Sequence, residues 1–160
     1  MNKDTVFFNG LKIHNQTINE IIHDDGNVLA NSQFQGIVGL AFVAIAEPND
    51  IPLLDNIKQQ HLLEFDIMSF YYGDDPGRSD SIMTLGGIDE SLADGDIKYY
   101  DIDERAYWSL IADEILVNNK NLNFCPKGCK LLFDTGTSMI TAPEIQVEEL
   151  LDYLNIEGNC

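Results

Sequence analysis

What most constrains this chain is how soon each of its apolar runs is interrupted. Thr5–Phe8 is β-branched and aromatic, Asn9-Gly10 breaks it, and Leu11–Ile13 begins another run. Short runs of this kind, bounded by turn residues, read as strands. Ile18–Ile22 and the glycine-flanked Gln35–Leu40 read the same way. So do Asp66–Tyr72, which stops at the turn cluster "GDDPGRSD", and Ser81–Gly87, which ends in a glycine pair. Asp96–Ile102 and Tyr107–Asn118 alternate apolar and polar residues, the period of a half-buried strand. Only two segments carry helical spacing. In "NDIPLLDNIKQQHLL", Asp50 is a candidate N-cap, Pro52 falls near the first turn, and Leu53, Leu54 and Ile57 share a face. In "TAPEIQVEELLDYL", Thr141 and Glu144 form a capping box, Pro143 is tolerated in the first turn, and Val147, Leu150, Leu151 and Leu154 make an apolar stripe suited to core packing. The expected fold is mostly β with a few short helices.

Composition adds limits. The chain has 160 residues, 44% of them apolar, enough to bury a core. Its net charge of −18 repels nucleic acid and anionic membranes, so neither is an expected partner. That charge suits a solvated acidic surface, and equally a chain that works in acid, where protonation relieves self-repulsion. No stretch approaches the length of a membrane span, and the first residues lack the apolar core of a secretory signal.

The segment "LLFDTGTSMI" carries chemistry. Leu131, Leu132 and Phe133 can hold a strand rigid, with Asp134 at its end. Gly136 allows a sharp turn and a close approach of backbone N–H groups to the carboxylate. Thr135, Thr137 and Ser138 supply short hydroxyls, and such donors favour the ionised form. An Asx-turn after a strand has the same outline. Carboxylates that hydrolyse bonds often work in pairs, and Asp-Thr-Gly occurs once in this chain. The nearest imitation, "IIHDDGN", lacks the threonine and reads as a polar turn.

Three cysteines are present, so one is left over or pairs outside the chain. Cys125 and Cys129 frame "CPKGC", where Pro126 and Gly128 suit a chain reversal. A small disulfide loop is favoured, and with it an oxidising compartment. Zinc is the rival reading. It needs four ligands, and His14, His23 and His61 lie far away in sequence. No metal site or cofactor is expected. Asn15-Gln16-Thr17 is an N-glycosylation acceptor triplet, meaningful in a secretory context. Asp101, Asp103 and Glu104 lack the order of a calcium loop and read as solvated surface.

Several segments together resemble the pepsin-like aspartic proteases. Asp-Thr-Gly-Thr-Ser followed by a Thr-x-Pro helix start is similar to that family's second active-site motif. "CPKGC" lies just upstream, where the family has its small disulfide loop. "YWSL", "TLGGIDESLADGDIKYYDI", "PLLDNIKQQHLLEFDIMSFYY", "FQGIVGLAF" and "KDTVFFNGLKIHNQ" each resemble a family segment, in the family's order. The likeness runs from about residue 4 to residue 160. Gln35 stands where the family usually has aspartate, and "AFVAIAEPNDIP" is longer than usual.

The resemblance implies a two-lobed β fold and peptide-bond hydrolysis by a water activated between two aspartates. The two carboxylates share one proton, since like charges that close cannot both ionise, and this family is the standard example of that behaviour. It implies Asp134 as one catalytic carboxylate. Thr135, Gly136 and Thr137 would approach dyad and substrate, Leu132 and Tyr107 would line one side of the cleft, and Phe34 and Ile37 would form apolar wall on the other. It also implies that the first Asp loop and the flap tyrosine lie upstream of Met1, and that the partner of Cys160 lies downstream. Residues 1–92 would then be the latter part of the N-terminal lobe with the inter-lobe region, and residues 93–160 the start of the C-terminal lobe. Such a piece is expected to fold poorly by itself and to be inactive alone. Its partners would be a polypeptide substrate and the remainder of the protease. Its location would be the secretory pathway, outside the cell or in an acidic endolysosomal or vacuolar compartment. Two alternatives remain: a non-catalytic pepsin-like binding protein, or a truncated gene product. Phosphotransfer proteins also place Asp-x-Gly-Thr turns after strands, but no Gly-rich phosphate loop precedes this one.

Overall fold

The computed structural model describes residues 2–25, 29, 32–73 and 80–156. It divides into two compact units, Met1–Tyr99 and Tyr100–Cys160. Among the described residues the strands form four two-stranded antiparallel sheets, accompanied by two α-helices, with no closed barrel. The chain is therefore mostly β.

In the first unit, β1 (Asn2–Phe8) and β2 (Leu11–Ile18) form a hairpin. Asn9 and Gly10 both have positive φ, 47° and 80°. That is the type I′ geometry whose twist matches paired strands, and Asn-Gly adopts it at little cost. The ladder slips between Asp4↔Gln16 and Val6↔Ile13. Thr5 therefore faces both His14 and Asn15, which makes a bulge, and Asn15 enters the left-handed region at φ 52°. Helix α1 (Leu53–Gln59) packs on β2. Ile13, Leu53 and Ile57 are buried, with Val6, Phe8, Leu11, Leu54, Leu62, Leu63 and Leu85 around them. Burying side chains of this size stabilises by about 1.5–3 kcal/mol each.

Gln16 and Asn56, the polar residues buried in this unit, both find partners. Asn56 Nδ2 donates to the His14 carbonyl at 3.0 Å and to Gln16 Oε1 at 3.1 Å. Gln16 Nε2 donates to the Ile51 carbonyl at 2.9 Å. Gln60 brackets His14, donating to its carbonyl at 2.8 Å and accepting from its N–H at 3.0 Å. Helix α1 ends with His61 at φ 51°, where the His61 N–H reaches the Lys58 carbonyl and the Leu62 N–H reaches that of Ile57. These bonds satisfy carbonyls that the helix leaves open. The cap position at its start belongs to Pro52, with no side-chain bond, so Asp50 does not cap it. A second hairpin pairs β3 (Met68–Tyr71) with β4 (Ile82–Leu85), and Leu85 delivers it to the core. Most of the "GDDPGRSD" turn, residues 74–79, lies outside the described residues, as do Gly26 and Cys160.

The second unit pairs β5 (Ser109–Ala112) with β8 (Cys129–Leu132). Between them, β6 (Leu116–Val117) and β7 (Lys120–Asn121) are joined by Asn118 and Asn119 at φ 51° and 62°, another type I′ turn. A disulfide joins Cys125 to Cys129. Helix α2 (Glu144–Leu154) ends on Asn155 at φ 54°, with N–H bonds from Asn155 to Asp152 and from Ile156 to Leu151. Lys120 Nζ sits 4.6 Å from the centroid of the Tyr153 ring.

Several expected elements differ. Gln35–Leu40 and Asp96–Ile102 form no strand, and Ile18–Ile22 forms none of its own, Ile18 instead being the last residue of β2. In each case no neighbouring segment among the described residues supplies a ladder, and an apolar pattern without a partner does not make a sheet. Ile37, Ile22 and Tyr99 stand exposed as a result. Tyr107–Asn118 is broken into β5 and β6. The Thr141–Glu144 capping box is absent: Pro143 occupies the cap position of α2, with no side-chain bond. The stripe on α2 is only partly covered, and the helix buries no residue.

Candidate active site

β8 delivers the aspartate. Its ladder with β5 runs from Cys129 to Leu132, and a further bond from the Phe133 N–H to the Trp108 carbonyl, 2.9 Å, carries the pairing one residue beyond. The chain then turns at once. The Thr137 N–H reaches the Asp134 carbonyl at 3.3 Å, which closes a four-residue turn. Within it the Gly136 N–H donates to Asp134 Oδ1 at 2.8 Å, and the Thr137 hydroxyl donates to Oδ2 at 2.6 Å.

Each carboxylate oxygen therefore accepts one bond from its own turn. The Thr137 hydroxyl and, after it, the Gly136 N–H hold the Asp134 carboxyl below its ordinary pKa. The group is exposed, so this bonding orients and charges it more than it stabilises the fold. Gly136 leaves the carboxylate room. A Cβ placed there would lie 3.2 Å from Asp134 Oδ1, tighter than ordinary contact. The result is an aimed carboxylate at a strand end, biased to its charged form and open to a water or a second acid.

The other expected site residues fall in two groups. Thr135, Gly136, Thr137, Leu132 and Tyr107 lie in the second unit with Asp134, and all are exposed. Leu132 pairs with Ser109, and the Tyr107 carbonyl accepts from the Ser109 N–H at 3.0 Å. Phe34 and Ile37 belong to the first unit. Ile37 lines a cavity of about 510 Å³ beside Val6, Phe8, Ile18, Phe42 and Ile45, and Phe34 does not.

Sequence reasoning missed one cluster. Asp103 and Glu104, expected on a solvated surface, both hold Lys130 of β8, at 2.7 and 2.8 Å. The buried Ser109 hydroxyl of β5 also donates to Asp103, whose side chain is 16% exposed. Lys130 and then Ser109 lower the Asp103 pKa, while Asp103 and then Glu104 raise that of Lys130. The cluster clasps the strand pair that ends in Asp134. Its signal in the sequence was a lone basic residue facing an acidic run, visible only once β5 and β8 are in register. Among the described residues no group of acidic, histidine or cysteine side chains could hold a metal ion. No helix among them is long and apolar enough to cross a membrane.

Residues 1–159 match the family described as eukaryotic aspartyl protease. The chain belongs to that family. Chicken (Gallus gallus) cathepsin D is 38% identical over 151 residues, which cover 94% of this chain and 38% of the relative. Cathepsin E of the frog Aquarana catesbeiana is 35% identical over 96% of this chain, and cathepsin E of the guinea pig Cavia porcellus is 33% identical over 94%. This family member thus spans about 38% of the length of those relatives.

Proposed function

We propose that this chain supplies one carboxylate, Asp134, to an aspartic endopeptidase whose second carboxylate comes from polypeptide outside these residues. The observation that carries this reading is the local bonding of Asp134: both oxygens are held by the Asp-Thr-Gly-Thr turn, in a family of aspartyl proteases. In the assembled site a water held between two carboxylates loses a proton to the ionised one. The protonated one polarises the scissile carbonyl, and the pair titrates as a unit. The Thr135, Gly136 and Thr137 backbone would meet an extended polypeptide, with Leu132 and Tyr107 lining the cleft nearby and Phe34 and Ile37 forming apolar wall. The disulfide supports a secretory or other oxidising location.

Exposed apolar side chains support the view that further polypeptide covers the chain: Ile37, Phe133, Met139 and Ile140 are all more than half exposed.

The test compares the 160-residue chain with its Asp134→Asn variant on a denatured protein substrate at roughly pH 3–6, where a shared proton is held. Equal background hydrolysis is expected from both. Adding the polypeptide that completes the fold should give hydrolysis that Asp134→Asn abolishes. Hydrolysis by the chain alone, sensitive to Asp134→Asn, would overturn the reading that a second carboxylate lies elsewhere. Full activity of Asp134→Asn in the completed protein would overturn the role of Asp134.

A further inference from the structure

We infer that Asn15 is a modification site that carries an N-linked oligosaccharide on the outer side of the β1–β2 hairpin. Asn15-Gln16-Thr17 is the single Asn-x-Ser/Thr triplet in the chain, and the middle residue is not proline. A triplet alone is weak, and three structural observations add to it. The first is the bulge. Thr5 faces both His14 and Asn15, and Asn15 takes a left-handed φ of 52°. The strand's alternation is broken there, so Ile13 and Gln16 point inward while the two residues between them are exposed.

The second is the fixing of both neighbours. The backbone of His14 is bracketed by Gln60 and Asn56, and the Gln16 side chain is tied to Asn56 and to the Ile51 carbonyl. With residues 14 and 16 fastened to α1, the Asn15 side chain stands away from the helix. A bulky polar chain attached there displaces no packed group. The third is the Cys125–Cys129 disulfide, which fits an oxidising compartment, the same kind in which such attachment occurs.

Thr17 fixes the order of events. Its hydroxyl oxygen is buried in the folded hairpin and has no partner among the described residues. The acceptor triplet is therefore readable only before β2 docks on α1. Attachment precedes folding, and the folded hairpin then leaves the sugar outside. In the transfer, the Asn15 amide nitrogen bonds to the anomeric carbon of an oligosaccharide carried on a lipid diphosphate. The carbon–oxygen bond to the diphosphate breaks, the lipid diphosphate departs, and the amide gives up one proton. The inference shares with the proposed function only the oxidising compartment, and its test reads mass rather than proteolysis.

The chain is translated behind a secretion signal in the presence of microsomes, where modification on entry does not require folding. A mass increase of one core oligosaccharide is expected. Asn15→Gln and Thr17→Ala should abolish it, and Thr17→Ser should retain it. An unmodified chain, beside a control protein that is modified, overturns the site. The modified chain is then treated with an endoglycosidase without denaturant. Release under these conditions is expected, with the Cys125–Cys129 bond intact. Release only after denaturation overturns the outward placement of Asn15.

Discussion

The hairpin on α1 and the turn at Asp134 are both tight, but they are held in opposite ways. The hairpin depends on residues far apart in sequence. Ile13 meets Leu53 and Ile57, and His14 and Gln16 meet Asn56 and Gln60. The aspartate turn depends on neighbours within three residues, the Gly136 N–H and the Thr137 hydroxyl, and it is exposed throughout. A geometry written locally survives where the surrounding packing is thin. A geometry written between distant segments is only as stable as the core that joins them.

The largest expected effect is on the hairpin. Ile57 is 1% exposed, and Ile57→Ala should cost about 2–5 kcal/mol of local stability. This is read as lost hydrogen-exchange protection at Ile13 and Gln16. The amide exchange of Gly136 should not change, and a parallel loss there would break the contrast. A smaller step is Asn56→Ala, which leaves the side-chain Oε1 of Gln16 without its Asn56 donor and removes one of the two bonds to the His14 carbonyl. The cost should be about 1–3 kcal/mol, read at the same amides.

The clasp on β8 should show as a pH effect. The folded pKa of Asp103 is depressed, so its contribution is complete above the ordinary carboxylate value of about 3.9 and is lost as pH falls through the folded value. Lys130 has the opposite sign. Its folded pKa is raised, and its contribution is complete below about 10.4 and lost as pH rises through the folded value. Exchange at Leu110 and Leu131 should therefore quicken in acid, and Lys130→Met should flatten that acid dependence. An unchanged acid limb in Lys130→Met would remove the clasp from the account. The smallest change is Thr137→Val. It deletes one donor and should raise the midpoint of Asp134, followed by carboxyl-carbon resonance, toward the ordinary value, while Thr137→Ser preserves it. An unshifted midpoint in Thr137→Val would mean that the turn does not set the charge.

The same contrast explains what the sequence disclosed. The Asn9-Gly10 turn, α1, the Asp134 turn and the Cys125–Cys129 loop were legible because each is decided within a few residues. The strands expected at Gln35–Leu40 and Asp96–Ile102 were not, because a strand is a relation between two segments and an apolar pattern names only one. Thr141 does not cap α2, and the reason is local. Pro143 follows it and takes the cap position with its own fixed φ of −57°. Asp103 looked solvated because its partners, Ser109 and Lys130, meet it only after β5 and β8 pair.

Gly136 and Thr137 bring one further consequence. With both oxygens of Asp134 accepting bonds from its own turn, this carboxylate favours its charged form before any second acid approaches. A second acid brought beside it must arrive with a proton or take one from solvent. On the proposed two-carboxylate reading, completing the site is coupled to proton uptake: the affinity between this chain and the polypeptide that completes the site should rise as pH falls, and Asp134→Asn should lessen that slope.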